Sequence, residues 1–231
     1  MKPNKTEEKH FVGHRKRVKN KFLYSKDLSS FDDYELLEIL LFLSIPRKDV
    51  KPIAKNLLSK FNSLHNVFNA EKEEITTIKG LNENSFINFQ LIKEFLSRIL
   101  KNNIKKKNII SSWSDLLKYL KFNMSALKIE HFRVIFLNSQ KIILCDEIMS
   151  KGTVDQTAVY PREILKKTLL LGASSIILVH NHPGGSTKPS KADRLVTSQI
   201  QEYCQFFNIS LHDHVIISDN QYYSFKENYL L

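Results

Sequence analysis

The chain has 231 residues, 42% apolar and 26% charged, a mix that excludes collagen-like, mucin-like and largely disordered chains and allows one or two domains. No apolar run approaches the roughly 18 residues of a membrane span, the N-terminus has no apolar signal core, and two cysteines make no disulfide framework, so a cytoplasmic protein with no membrane contact is expected. The net charge of +11 is lopsided: residues 1–108 hold 22 Lys/Arg against 13 Asp/Glu (+9), residues 109–231 hold 13 against 11 (+2), and such a bias points to an anionic partner, usually nucleic acid, for the first half.

The first dozen residues are polar and expected to fray. His14–Leu23 carries Arg15, Lys16, Arg17, Lys19 and Lys21, a cationic arm or helix. Phe31–Phe42 has apolar residues at three- and four-residue steps and acids in its first turn, so it predicts a helix stopped by Pro46. Asp49 is expected to cap the next helix, through Ile53, Leu57, Leu58 and Phe61. Short helical pieces follow at Ser63–Asn69 and Glu71–Thr76, and a long helix runs from about Asn84 to Leu100. The apolar-poor Lys101–Asn108 stretch is the linker candidate, which divides the chain into a helical domain, 1–104, and a second domain, 109–231.

Beyond the linker the periodicity changes. Ser114–Phe122 predicts a helix. Phe132–Leu137 predicts a strand, with Lys141–Met149 as its hairpin partner across Asn138, Ser139 and Gln140. Pro161 opens a helix that ends near Gly172. Ser175–His180 is a buried-type strand, Ser190 opens a helix to about Phe207, and Leu211–Ser218 and Tyr222–Phe225 are further strands. The alternation makes this half α/β.

The chemistry concentrates in His180-Asn-His-Pro-Gly-Gly-Ser-Thr-Lys-Pro-Ser-Lys-Ala-Asp193. Side chains two apart on a strand share a face, so His180 and His182 can aim at one point. The Pro- and Gly-rich turn reverses the chain, and Asp193, in the first turn of the following helix, returns a carboxylate toward the imidazoles. Two neutral imidazoles and a carboxylate suit zinc and leave a fourth position for water. The plainer reading is a polar strand end followed by a Ser-x-x-Asp helix cap. His212-Asp213-His214 repeats the His-x-His pattern, but no capped carboxylate follows at matching spacing, and it reads as part of a core strand rather than a competing metal site. Cys145 and Cys204 read as buried structural thiols.

His-x-His, seven residues, then Ser-x-x-Asp resembles the signature of JAMM metalloproteases of the JAB/MPN fold. More closely, the chain resembles the RadC family of JAB-domain DNA repair proteins. The segments that carry the likeness are Gly13–Arg17, Tyr34–Glu38, Ile45–Pro52, Val159–Glu163, Ile176–Gly185 and Asp213–Ile217. The resemblance implies a JAB/MPN-type mixed sheet with flanking helices after an all-helical N-terminal domain. It places His180, His182 and Asp193 on the zinc-ligand positions and Ser190 where active members steady the tetrahedral intermediate. It also implies an upstream glutamate as general base. Glu130, just before the first strand, is the best match, with Glu147 and Glu163 as rivals. Arg162 is a weaker candidate for an oxyanion partner.

The expected activity is metal-assisted hydrolysis of a peptide or isopeptide bond. In the helical half, Thr76–Asn82 and the helix after it resemble a helix-hairpin-helix, which offers backbone N–H groups to a DNA phosphate. The usual pattern is Gly-x-Gly; here Asn82 stands at the second position and crowds that approach. The alternative function is a non-catalytic DNA-binding, repair-associated adaptor with a structural metal.

Overall fold

The computed structural model describes residues 13–152, 160–219 and 221–231. The segment expected to fray, 1–12, lies outside the described residues, as does Val159. The chain divides into two compact units between residues 94 and 95.

The first unit is helical. The helices are α1 (His14–Tyr24), α2 (Asp33–Ser44), α3 (Lys51–Phe61), α4 (Leu64–Asn69), α5 (Lys72–Thr76) and the first half of α6 (Glu83–Ile104). Their apolar faces meet around Leu37, Leu41, Ala54, Leu57, Val67, Ile75 and Phe89. Asp32 and Glu35 form a capping box at the start of α2, satisfying two N–H groups that the helix cannot bond itself. Asp49 is not the N-cap of α3, which is Val50; its carboxylate instead accepts from the Lys51 N–H at 3.1 Å.

Part of the basic cluster of α1 serves this packing. Arg15 donates to the carbonyls of Ile45 and Pro46 and lies over the Phe42 ring. Lys21 pairs with Glu35, and His14 lies 2.7 Å from the buried Glu38 carboxylate. The start of α6 is likewise engaged: the Asn82 carboxamide accepts from the Ser85 N–H at 3.0 Å, and Glu83, in the first turn, pairs with Lys72.

The second unit is a five-stranded mixed sheet with helices on both faces. Its strands are β1 (Glu130–Leu137), β2 (Ile143–Gly152), β3 (Ser175–Asn181), β4 (Ser210–Ser218) and β5 (Gln221–Ser224), in the order β2-β1-β3-β4-β5. Neighbours run antiparallel except β3 and β4, which are parallel. A parallel pair needs a crossover, and α9 (Lys191–Phe206) supplies it. Ile135, Leu137, Ile177, Val179, Val215 and Ile217 bury one face against α7 (Trp113–Met124). Phe132, Val134, Phe136, Ile176 and Leu178 bury the other against α8 (Pro161–Leu170) and α9.

The stretch read as a linker is partly helix. Residues 101–104 continue α6, because Ile104 is buried among Ile109, Leu116 and Leu120 of the second unit and Lys101 reaches Asp146 at 3.3 Å. A charged surface on the last turn hid one core position. No described helix is long and apolar enough to cross a membrane.

Candidate metal centre

β3 is buried along its whole length. It ends in Asn181, and His182 extends its line: the His182 N–H donates to the Ile217 carbonyl at 2.9 Å, and Ser218 Oγ donates to the His182 carbonyl at 2.7 Å. The turn that follows needs Gly185, whose φ is +86° and where a Cβ would stand 2.9 Å from the Asp219 carboxylate. α9 then starts with a reciprocal capping box. Ser190 Oγ accepts from the Asp193 N–H at 3.1 Å, and Asp193 Oδ2 accepts from the Ser190 N–H at 2.7 Å. The cap and the site are one arrangement, because the Asp193 side chain turned back to the cap is also turned toward the end of β3.

Three side chains converge there. The Nε2 atoms of His180 and His182 are 2.9 Å apart. Asp193 Oδ1 is 3.2 Å from His180 Nε2, and Oδ2 is 3.4 Å from His182 Nε2. One ligand atom from each residue lies within 4.8 Å of the others. His180 is fully buried, and Asp193 is buried except for one edge.

The other ring nitrogens are engaged. His182 Nδ1 lies 2.7 Å from the Ser186 carbonyl, which can only accept, so the proton of a neutral His182 sits on Nδ1 and Nε2 is bare. His180 Nδ1 is 2.8 Å from His214 Nε2. Burial disfavours ionisation of Asp193, but contacts with His180 and His182, which donate to it when their rings are protonated, and with Ser190 outweigh it and hold its carboxyl far below the usual range. The Asp193 hydrogen bond raises His182 above its ordinary value against the effect of burial. Electron-rich atoms this close require a positive charge among them, either a proton or a cation. The donor set fits a divalent metal.

Glu130 opens β1. Phe132 pairs with His180 across the β1–β3 ladder and stacks on it, at 6.1 Å between ring centroids and 12° between planes. By the pleat, Glu130 points to that same face. Burial raises its carboxyl above the ordinary value, the charges of His180 and His182 lower it, and that of Asp193 raises it. The rivals have other partners: Glu147 pairs with Lys167 at 2.9 Å, and Glu163 with Arg162 at 3.2 Å, the Arg162 side chain being largely exposed. Cys204 is buried as expected, but Cys145 is only half-buried; burial raises both thiols, that of Cys204 to about 11.

Three buried residues complete the surroundings, and sequence reasoning did not assign them to the site. Asn181 accepts from the His131 N–H at 2.9 Å and donates to the Ile129 carbonyl at 3.1 Å, so it clamps the backbone on both sides of Glu130. His214 lies between His180 and Thr197, with its Nδ1 2.6 Å from Thr197 Oγ1. Thr197 Oγ1 donates in turn to the Asp193 carbonyl. The second His-x-His is therefore neither a rival metal site nor merely core. A bulge places one extra residue opposite Ile176 and Ile177, at His212. That sends His212 to Trp113 on one face and His214 to His180 on the other. The only available signal was the pair of imidazoles itself; the bulge was not legible.

A model of the RadC-like JAB domain matches residues 110–230. The chain is 44% identical to the UPF0758 protein FN0909 of Fusobacterium nucleatum, over 97% of this chain and 99% of the relative. It is 39% identical to the UPF0758 protein SPO0054 of Ruegeria pomeroyi, over 94% and 97% respectively.

Proposed function

The chain belongs to the RadC-like JAB domain family, and from that premise we propose that its second unit is a zinc-dependent hydrolase acting on peptide or isopeptide bonds. The observation that carries the reading is the convergence of His180 Nε2, His182 Nε2 and an Asp193 carboxylate oxygen at the carboxyl end of β3.

His180, His182 and Asp193 would hold the ion. Once bound, a divalent ion there would supply Lewis acidity. Glu130 takes the proton of the attacking water and returns it to the leaving nitrogen; partial burial lifts its pKa toward that task. Ser190 Oγ already accepts from the Asp193 N–H, so its own proton is available to a developing oxyanion. The Asn181 clamp keeps Glu130 on the metal face.

The test is metal content and chelator-sensitive hydrolysis of peptide and isopeptide libraries by the full chain, beside two variants. His182→Ala should lose both metal and activity. Glu130→Gln should keep the metal and lose activity by about 100-fold or more, the usual worth of a general base. Hydrolysis that survives Glu130→Gln would remove that residue from the mechanism. A metal held without any hydrolysis would favour the non-catalytic adaptor.

A second reading, non-specific DNA contact by the helical half as in a repair-associated protein, is favoured by the +9 charge of residues 1–108. Its contacts would come from exposed lysines such as Lys16 and Lys19 on α1. The start of α6 is less suited, because Glu83 places a negative charge where a phosphate would approach. Duplex affinity should then fall steeply with salt, and salt-insensitive or absent binding would exclude it.

A further inference from the structure

We infer that His214 and Thr197 are positioning residues that set which nitrogen of His180 carries its proton, keeping Nε2 bare for the ion. The inference rests on the metal-centre reading above and deepens it.

The argument is a count of protons along one buried chain of contacts. It starts at the Asp193 carbonyl, which has no proton. Thr197 Oγ1 is within hydrogen-bond reach of that carbonyl, so the single hydroxyl proton of Thr197 is spent there. Thr197 Oγ1 must then accept from its other neighbour, His214 Nδ1, 2.6 Å away. A neutral imidazole has one N–H, so His214 Nε2 is a bare acceptor. His180 Nδ1, 2.8 Å from it, must be the donor. A neutral His180 therefore has no proton on Nε2, the atom facing His182 and Asp193.

The premise that His214 is neutral stands on its surroundings. It is fully buried, stacked on Phe225 with centroids 4.7 Å apart and met by the edge of Phe132 at 5.8 Å. Both of its ring nitrogens are used within the chain of contacts. The chain begins on a backbone atom of one proposed ligand, Asp193, and ends on the ring of another, His180. It passes through β4, the strand parallel to β3, and so ties the helix-borne ligand to the strand-borne one.

Removing the Thr197 hydroxyl should reverse the relay. In Thr197→Val, His214 Nδ1–H has no acceptor. The tautomer with the proton on His214 Nε2 then becomes competitive, and it donates to His180 Nδ1. The His180 proton moves to Nε2, where it blocks the ion. His214→Phe removes the acceptor altogether while keeping an aromatic ring between Phe132 and Phe225.

Two measurements on the full chain test this. The first is zinc affinity, by competition with a chromophoric chelator. Thr197→Val and His214→Phe should bind zinc about 10- to 100-fold more weakly than the parent, and Thr197→Ser within about threefold of it, as expected for partners behind a ligating histidine. The second is nitrogen-15 NMR of the ring nitrogens in the metal-free protein at alkaline pH. The parent and Thr197→Ser should show His180 protonated on Nδ1, and Thr197→Val should show the proton shifted toward Nε2. Circular dichroism confirms that the variants are folded. Unchanged zinc affinity in folded Thr197→Val and His214→Phe would overturn the inference, as would a His180 tautomer unmoved by Thr197→Val. If the parent binds zinc no better than His182→Ala, the metal-centre reading itself fails; the NMR arm then still decides whether Thr197 sets the His180 tautomer.

Discussion

At the scale of single residues, a proton and a bound ion would compete for the same lone pair at the proposed centre. The His182 imidazole is raised above its ordinary 6.5 by the Asp193 hydrogen bond. A raised base stabilises the fold below its unfolded value, and that contribution is lost as pH rises through the folded value. Without metal, stability from this group should therefore decline as pH rises above 6.5 through the raised folded value. In the same window zinc affinity should rise, with about one proton released per ion bound. Calorimetry in buffers of different ionisation enthalpy measures that proton. The turn offers a separate test. Gly185→Ala forces a side chain into a positive φ and against the Asp219 carboxylate, whereas a Cβ at Gly184 meets nothing within 4 Å. Gly185→Ala should destabilise by about 1 kcal/mol or more in urea unfolding, and Gly184→Ala should be near neutral.

At the scale of elements, the start of α9 combines a cap with a proposed ligand. Ser190→Ala removes the acceptor for the Asp193 N–H and should cost about 1 kcal/mol of stability. If its hydroxyl also steadies an oxyanion, the loss of rate should exceed anything that small destabilisation explains. At the start of β1, Asn181→Ala leaves the His131 N–H without its acceptor, while the Ile129 carbonyl keeps the His131 ring nitrogen at 3.1 Å. That should cost about 1–3 kcal/mol, read from the denaturation midpoint. Several elements were legible because their signals are local. Pro161 stands at N1 of α8, Ser190 is the N-cap of α9, and the apolar run of β3 is buried throughout. The end of α6 and the bulge in β4 were not. Burial of Ile104 and the switch of His212 to the Trp113 side depend on neighbours that no local pattern names.

At the scale of the whole molecule, a bound metal and pH would act on folding as linked equilibria. If the centre binds zinc only when folded, an excess of about 100 times Kd should add about 2.7 kcal/mol. A chelator should remove it, and His182→Ala should not show it; a thermal melt with and without zinc reads all three. A second, independent effect concerns His212. Burial, with the nearby charges of Lys226 and Lys141, lowers its imidazole to about 4. A lowered base gives stability that is present above its ordinary 6.5 and is lost as pH falls toward 4. His212→Leu should flatten that part of the acid limb in a series of denaturant midpoints, while leaving zinc affinity unchanged.

The amino-acid sequence by itself determined the centre's three convergent side chains, because they lie within the fourteen residues 180–193, where strand pleat, glycine turn and helix cap are all short-range geometry. It also determined that a helical first part is followed by an α/β second part. Only the tertiary structure decided what stands behind those side chains. The contacts that orient them join residues 17, 34 and 50 positions apart. Such pairs meet only once strand order, parallel pairing of β3 with β4 and one bulge are in place. A hydrogen bond has a range of about 3 Å, so its partners are set by where the chain returns in space and not by their spacing along it.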